Sequence, residues 1–108
     1  MEFNEYQQKA WKTALYPNQG HNLWYPALGL GESGEAQNIV KKIYRDNNGV
    51  ITEEQRQKLI KELGDQLWYI AAMATELNCD LDYIASLNLE KLYSRLERGT
   101  VKGDGDNR

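Results

Sequence analysis

Apolar residues along this chain recur at three- and four-residue steps, and no segment shows sustained alternation, so the pattern predicts helices rather than strands. Phe3, Tyr6, Ala10, Trp11, Ala14 and Leu15 define a first helix over about 4–16. Asn4 and Gln7 have the spacing of a capping box at its start, and Tyr16-Pro17-Asn18-Gln19-Gly20 ends it in turn chemistry. Pro26 suits the first turn of a second helix whose apolar positions, Leu28, Ala36, Ile39, Val40 and Ile43, run to the stop signal Asn47-Asn48-Gly49. Thr52, followed by Glu53, Glu54 and Gln55, starts a third helix carrying Leu59, Leu63, Leu67, Ile70, Ala74 and Leu77 and ending near Asn78. Asp80 caps a fourth, with Ile84, Leu87, Leu92 and Leu96 before Gly99. Four helices with short connections predict an all-α fold, an antiparallel four-helix bundle.

Composition narrows the function classes. At 108 residues the chain is the length of one domain, taken here as 1–108, and the glycine-rich polar tail over about 99–108 is expected to be flexible or lid-like. The longest uncharged apolar run, Leu67 to Thr75, is far short of the roughly 20 residues that a membrane-spanning helix needs. Thirteen Lys and Arg against 16 Asp and Glu give a net charge of -3, which argues against nucleic acid as the main partner. Met1-Glu2-Phe3-Asn4-Glu5 lacks the order of a secretory signal, so a cytoplasmic location is expected. Cys79, the single cysteine, has no partner for an internal disulfide and reads as a packing residue.

The informative feature is where charge intrudes on the apolar pattern. Projected at about 100° per residue, Glu32 falls in the middle of the stripe of the second helix and Glu35 at its edge. On the third helix Glu62 flanks the stripe of Leu59, Leu63 and Ile70, and Asp65 and Tyr69 continue that flank. Two helices thus each turn a pair of carboxylates, three residues apart, toward the interior. Stripping water from one ionised carboxylate costs several kcal/mol, so such a cluster needs protonation, basic partners or divalent cations. Four carboxylates without His or Cys are hard oxygen ligands, suited to Mg²⁺ or Mn²⁺ rather than to a structural zinc. A di-iron bundle would need Glu-x-x-His pairs, which this sequence lacks.

Gly29, Gly31, Gly34 and Gly64 lie within or beside these acidic stretches, each costing about 1 kcal/mol against alanine inside a helix. They suggest close approach of helices or of a ligand to the backbone. On the fourth helix Asn88, Lys91 and Arg95, continued by Arg98, follow spacings of three and seven along the edge of the Ile84, Leu92 and Leu96 stripe. Cations beside a metal-carboxylate cluster are what a polyphosphate requires.

These residues resemble the MazG-like nucleotide pyrophosphohydrolases of the all-α type, whose signature is two Glu three apart followed, after a variable gap, by a Glu and an Asp three apart. Here it reads Gly31-Glu32-Ser33-Gly34-Glu35 and Lys61-Glu62-Leu63-Gly64-Asp65. Asn88-Leu89-Glu90-Lys91-Leu92-Tyr93-Ser94-Arg95 is similar to the family's phosphate-contacting helix, and Arg98-Gly99-Thr100 through Asp106-Asn107-Arg108 to the tail of many small members; the similarity covers about residues 25–108. The resemblance implies hydrolysis of a nucleoside triphosphate, or its deoxy form, to the monophosphate and pyrophosphate. It implies Mg²⁺, with Mn²⁺ able to substitute, held by Glu32, Glu35, Glu62 and Asp65. Glu35 is expected to position or deprotonate the attacking water, Asn88, Lys91 and Arg95 to hold phosphates, and Tyr69 to stack on the base ahead of Trp11, Trp24 and His21.

A homo-oligomer, either a dimer or a dimer of dimers, is also implied. The sequence agrees, because Leu67-Trp68-Tyr69-Ile70-Ala71-Ala72-Met73-Ala74 is apolar almost all round a helix, and a partner chain is expected to cover Trp68 and Ala72. Two other functions fit the same acidic pairs. One is phosphoribosyl-ATP pyrophosphohydrolysis; the other is a helical module that binds metal or a basic partner without turnover.

Overall fold

The computed structural model describes residues 1–31, 34–99, 103, 105 and 106, and among these every regular element is a helix. There are five: α1 (Phe3–Trp11), α2 (Trp24–Leu30), α3 (Gly34–Asn47), α4 (Glu53–Glu76) and α5 (Leu81–Arg98). The third and fourth expected helices are α4 and α5. Thr52 caps α4 through a complete capping box with Gln55, and the Asp80 side chain accepts from the Tyr83 amide at the start of α5. Gly99 closes α5 in the left-handed conformation.

Two expectations are corrected. The single helix expected from Pro26 to Asn47 is two helices among the described residues: α2 ends at Leu30, where the Gly31 amide turns back onto Leu28 and Gly29 carbonyls, and α3 begins at Gly34. The first helix ends at Trp11, not near 16, because Thr13 and Ala14 close short turns onto Ala10 and Trp11 instead of extending the helical ladder. Residues 12–23 then form a loop in which Asn18 and Gly20 adopt positive φ.

The Asn4–Gln7 capping box is also absent, since Glu2 is the N-cap of α1 and makes no side-chain bond. Those two side chains cap a different helix. Asn4 Oδ1 accepts from the Asp82 amide at 3.1 Å, and buried Gln7 accepts from the Leu81 amide at 2.8 Å while donating to Thr75 Oγ1 at 3.1 Å and the Cys79 carbonyl at 2.9 Å. The otherwise orphaned amides at the start of α5 are thus satisfied by α1.

Helices α1, α2 and α3 all pack on α4, and α5 packs on α1. A core of Ala10, Ala71, Ala74 and Leu81 sits at the α1–α4–α5 junction, with Tyr6 and Trp68 against it. Three helices of its own chain pack on α4 and bury Ala71, Ala72 and Ala74 of its apolar middle, while Ile70 stays exposed. Ala72 is therefore buried within the chain, and Trp68 packs on the core and donates Nε1 to Thr13 Oγ1 at 2.8 Å, so neither needs the partner chain that the sequence suggested. Exposed apolar side chains include Leu63 and Ile70 on α4, Leu77 just after it, and Ile84, Leu92 and Leu96 on α5.

Candidate active site

Helix α4 turns Glu62, Asp65, Gln66 and Tyr69 toward one side, as spacings of three, four and seven require. The N-terminal turn of α3 brings Glu35 to the same place, where the helix dipole favours a negative charge. Together with Trp68 these side chains line a cavity of about 270 Å³. Three of the four expected carboxylates therefore share one pocket although 27–30 residues of chain separate Glu35 from the other two. The fourth, Glu32, lies outside the described residues.

The carboxylates that line this cavity are hard oxygen donors, and their chemistry fits a divalent cation such as Mg²⁺ or Mn²⁺. Among the described residues no three acidic, His or Cys side chains converge closely enough to hold an ion by themselves. A cation in this cavity would need further oxygen donors.

A chain of ring contacts backs the pocket's aromatic side. Trp68 and Tyr69 meet edge to face at 5.3 Å and 88°, and Trp68 meets Tyr16 the same way at 6.5 Å. Tyr16 stacks on Tyr25 at 4.6 Å and meets Trp11 edge-on at 6.2 Å. The Tyr69 ring lies directly over Gly29 of α2, so that any Cβ there would collide with Cδ1 and Cε1 of the ring. Of the four glycines singled out in the sequence, this is the one where helices approach closely; Gly34 and Gly64 face open space.

Glu76, the last residue of α4, fastens the 12–23 loop by accepting from the Gly20 amide at 2.6 Å and the Asn22 amide at 3.1 Å. The Tyr16 hydroxyl is buried beside that carboxylate with no hydrogen bond of good geometry among the described residues. Burial first, and the Glu76 charge second, push its pKa up to about 12. Burial, followed by the Asp65 carboxylate, likewise raises the Tyr6 phenol.

The expected phosphate-binding residues lie apart from this pocket within the chain. Asn88 lines an apolar groove with Phe3, Ile70, Leu81, Ile84 and Ala85. Lys91 Nζ pairs with Asp106 Oδ1 at 3.1 Å. Arg95, 4% exposed, donates Nη2 to the Asp106 carbonyl at 2.6 Å and the Gly105 carbonyl at 3.3 Å. The Lys91 hydrogen bond and charge, then those of Arg95, hold the Asp106 carboxyl below the usual carboxylate range. The row falls away from the acids because Asn4 and Gln7 tie the start of α5 to α1, a constraint invisible to helical projection. Of the other candidate base contacts, Trp24 and His21 are exposed and Trp11 is half-buried against Tyr16.

Gln66 and Trp68 were not anticipated as pocket residues. Gln66 follows Glu62 by four, a spacing that places it on the same face, and its Nε2 donates to the Gly29 carbonyl at 3.4 Å.

The sequence model of the MazG nucleotide pyrophosphohydrolase domain matches residues 19–99. The "Gene 37 protein" of Mycobacterium phage L5 is 47% identical over 114 aligned positions covering the whole of both chains. The uncharacterized protein YvdC of Bacillus subtilis (strain 168) is 30% identical over 96 positions, covering 81% of this chain and 91% of that one. No solved structure matches at comparable stringency. No helix of the described residues is long and apolar enough to cross a membrane.

Proposed function

Because the chain belongs to the MazG nucleotide pyrophosphohydrolase family, we propose that it hydrolyses ribo- or deoxyribonucleoside triphosphates to the monophosphate and pyrophosphate. The observation that carries this reading is the convergence of Glu35, Glu62 and Asp65, from two helices, on one cavity beside Tyr69. In this reading Glu32, Glu35, Glu62 and Asp65 hold divalent metal, Mg²⁺ by preference with Mn²⁺ able to substitute. When bound, the ions supply charge neutralisation for the triphosphate and for the departing pyrophosphate.

The protein's own residues divide the remaining work. Glu35, at the exposed start of α3, positions or deprotonates the water that attacks the α-phosphorus. Tyr69, held against Trp68, offers its ring to the base, and Gln66 brings an amide to the same cavity. Asn88, Lys91 and Arg95 hold phosphate oxygens through charge-assisted hydrogen bonds.

That last role calls for a second copy of the chain, because within one chain the α5 row does not line the acidic cavity. Two further observations support a homo-oligomer, a dimer or a dimer of dimers. Leu63 and Leu96 are 67% and 63% exposed in apolar rows on α4 and α5. The radius of gyration, 16.9 Å, exceeds the ~13 Å of a compact domain of this length. Sedimentation of a stable monomer at micromolar concentration would remove this part of the proposal.

The test is a panel of ribo- and deoxyribonucleoside triphosphates, with phosphoribosyl-ATP beside them, assayed with Mg²⁺ or Mn²⁺ for monophosphate and pyrophosphate. Glu35→Gln should abolish turnover while nucleotide binding persists; loss of both together refutes the role given to Glu35. Absence of pyrophosphate release across the panel would leave a binding module in place of an enzyme.

A further inference from the structure

Lys91 and Arg95 stand one helical turn apart on α5, and each already has an anion. The Asp106 carboxylate lies 3.1 Å from Lys91 Nζ and 3.5 Å from Arg95 Nη2. The same Nη2 also takes the Asp106 and Gly105 carbonyls. Gly105, at φ +85°, makes this possible by turning the chain through a backbone conformation that side chains disfavour.

The two sides of this contact differ in environment. Arg95 is almost fully buried, and its Nε has no hydrogen-bond partner among the described residues. A buried guanidinium is costly to leave short of acceptors, so the arginine must be supplied by one anion or another. The Asp106 side chain is 83% exposed, and an ion pair open to water is weak and exchangeable. A carboxylate plus two carbonyls around one cation fork also presents oxygens much as a phosphate does.

We propose that Asp106 is a built-in stand-in for phosphate: Gly105 and Asp106 form a strap over Lys91 and Arg95 in the free protein, and an incoming polyphosphate must displace it. The strap gives Nη2 of the buried guanidinium its acceptors between ligands, and its release couples filling of the site to freeing of Asp106. This rests on the reading that Lys91 and Arg95 hold phosphates.

Competition of this kind lowers apparent affinity by the fraction of molecules whose site is open. Asp106→Asn, which keeps the shape and removes the charge, should therefore bind inorganic tripolyphosphate roughly three- to tenfold more tightly by calorimetry, matching a strap closed roughly 70–90% of the time. Gly105→Ala should act in the same direction, since it strains the turn without touching any charge. Unchanged or weaker binding in Asp106→Asn overturns the strap, because Asp106 would then be inert or would position Lys91 and Arg95 for the ligand. Lys91→Ala in the Asp106→Asn background must lose most of the gain. Should it not, phosphate is not held on this helix, and the assignment beneath the strap fails with it.

Discussion

Replacing Gly29 by alanine separates a packing contact from a propensity effect by the sign of the outcome. In a helix the substitution alone stabilises by about 1 kcal/mol. At Gly29, however, the added methyl would occupy space held by the Tyr69 ring. Displacing the ring would disturb its edge-to-face contact with Trp68, which is itself bonded to Thr13. Overpacking of a settled contact costs about 1–3 kcal/mol, and here the clash is with a ring rather than with the far end of a flexible side chain. The net expectation is destabilisation by up to about 2 kcal/mol after the propensity gain.

Gly64, one helical turn before Trp68 on α4, has open space where a Cβ would sit, so Gly64→Ala should stabilise by about 1 kcal/mol. Thermal melts should move in opposite directions for the two variants, by roughly 4–8 °C for each kcal/mol in a domain of this size. Removing the obstacle should restore the ordinary sign: in a Tyr69→Ala background, Gly29→Ala should become stabilising. Equal stabilisation by both alanines in the wild-type background would refute the close approach of α2 to Tyr69, and with it the ring placement on which the proposed base stacking depends.

Gln7→Ala should cost about 2–6 kcal/mol in urea unfolding, since it strands the Leu81 amide and the Cys79 carbonyl at about 1–3 kcal/mol each, while Gln8→Ala on the exposed neighbour should change stability by less than about 0.5 kcal/mol. Tyr16 has a folded pKa raised to about 12; its neutral phenol stabilises the fold fully below about pH 10, and that contribution is lost as pH rises toward 12. Urea midpoints between pH 8 and 11.5, roughly bracketing tyrosine ionisation, should fall less steeply for Tyr16→Phe than for wild type.

Helix content was legible because amphipathic spacing, the Thr52 and Asp80 caps and the Asn-Asn-Gly stop all act locally. The acidic pocket was legible for a related reason: carboxylates three apart must share a helix face, and two such faces beside apolar stripes are drawn together when the stripes are buried. What escaped the sequence depends on contacts between distant segments. Asn4 and Gln7 looked like a local cap, but the amides they accept from are 78 and 74 residues away. Trp68 and Ala72 looked like an oligomer seam because projection cannot tell a partner chain from three helices of the same chain. The placement of Lys91 and Arg95 was illegible for the same reason, as the position of α5 is set by α1.

The clasp formed by Gln7 also bears on the order in which the chain is made. Its acceptors and donor, Thr75, Cys79 and Leu81, lie in the last third of the sequence, so during synthesis α1 leaves the ribosome first and waits for its docking site longest. Closing a contact over more than 70 residues carries a loop entropy that grows only slowly with length but delays folding. The amphipathic segment bearing Phe3, Tyr6 and Trp11 therefore spends most of translation without its native cover, and truncations from the C-terminal side that remove Leu81 should leave the first helix exposed to proteases.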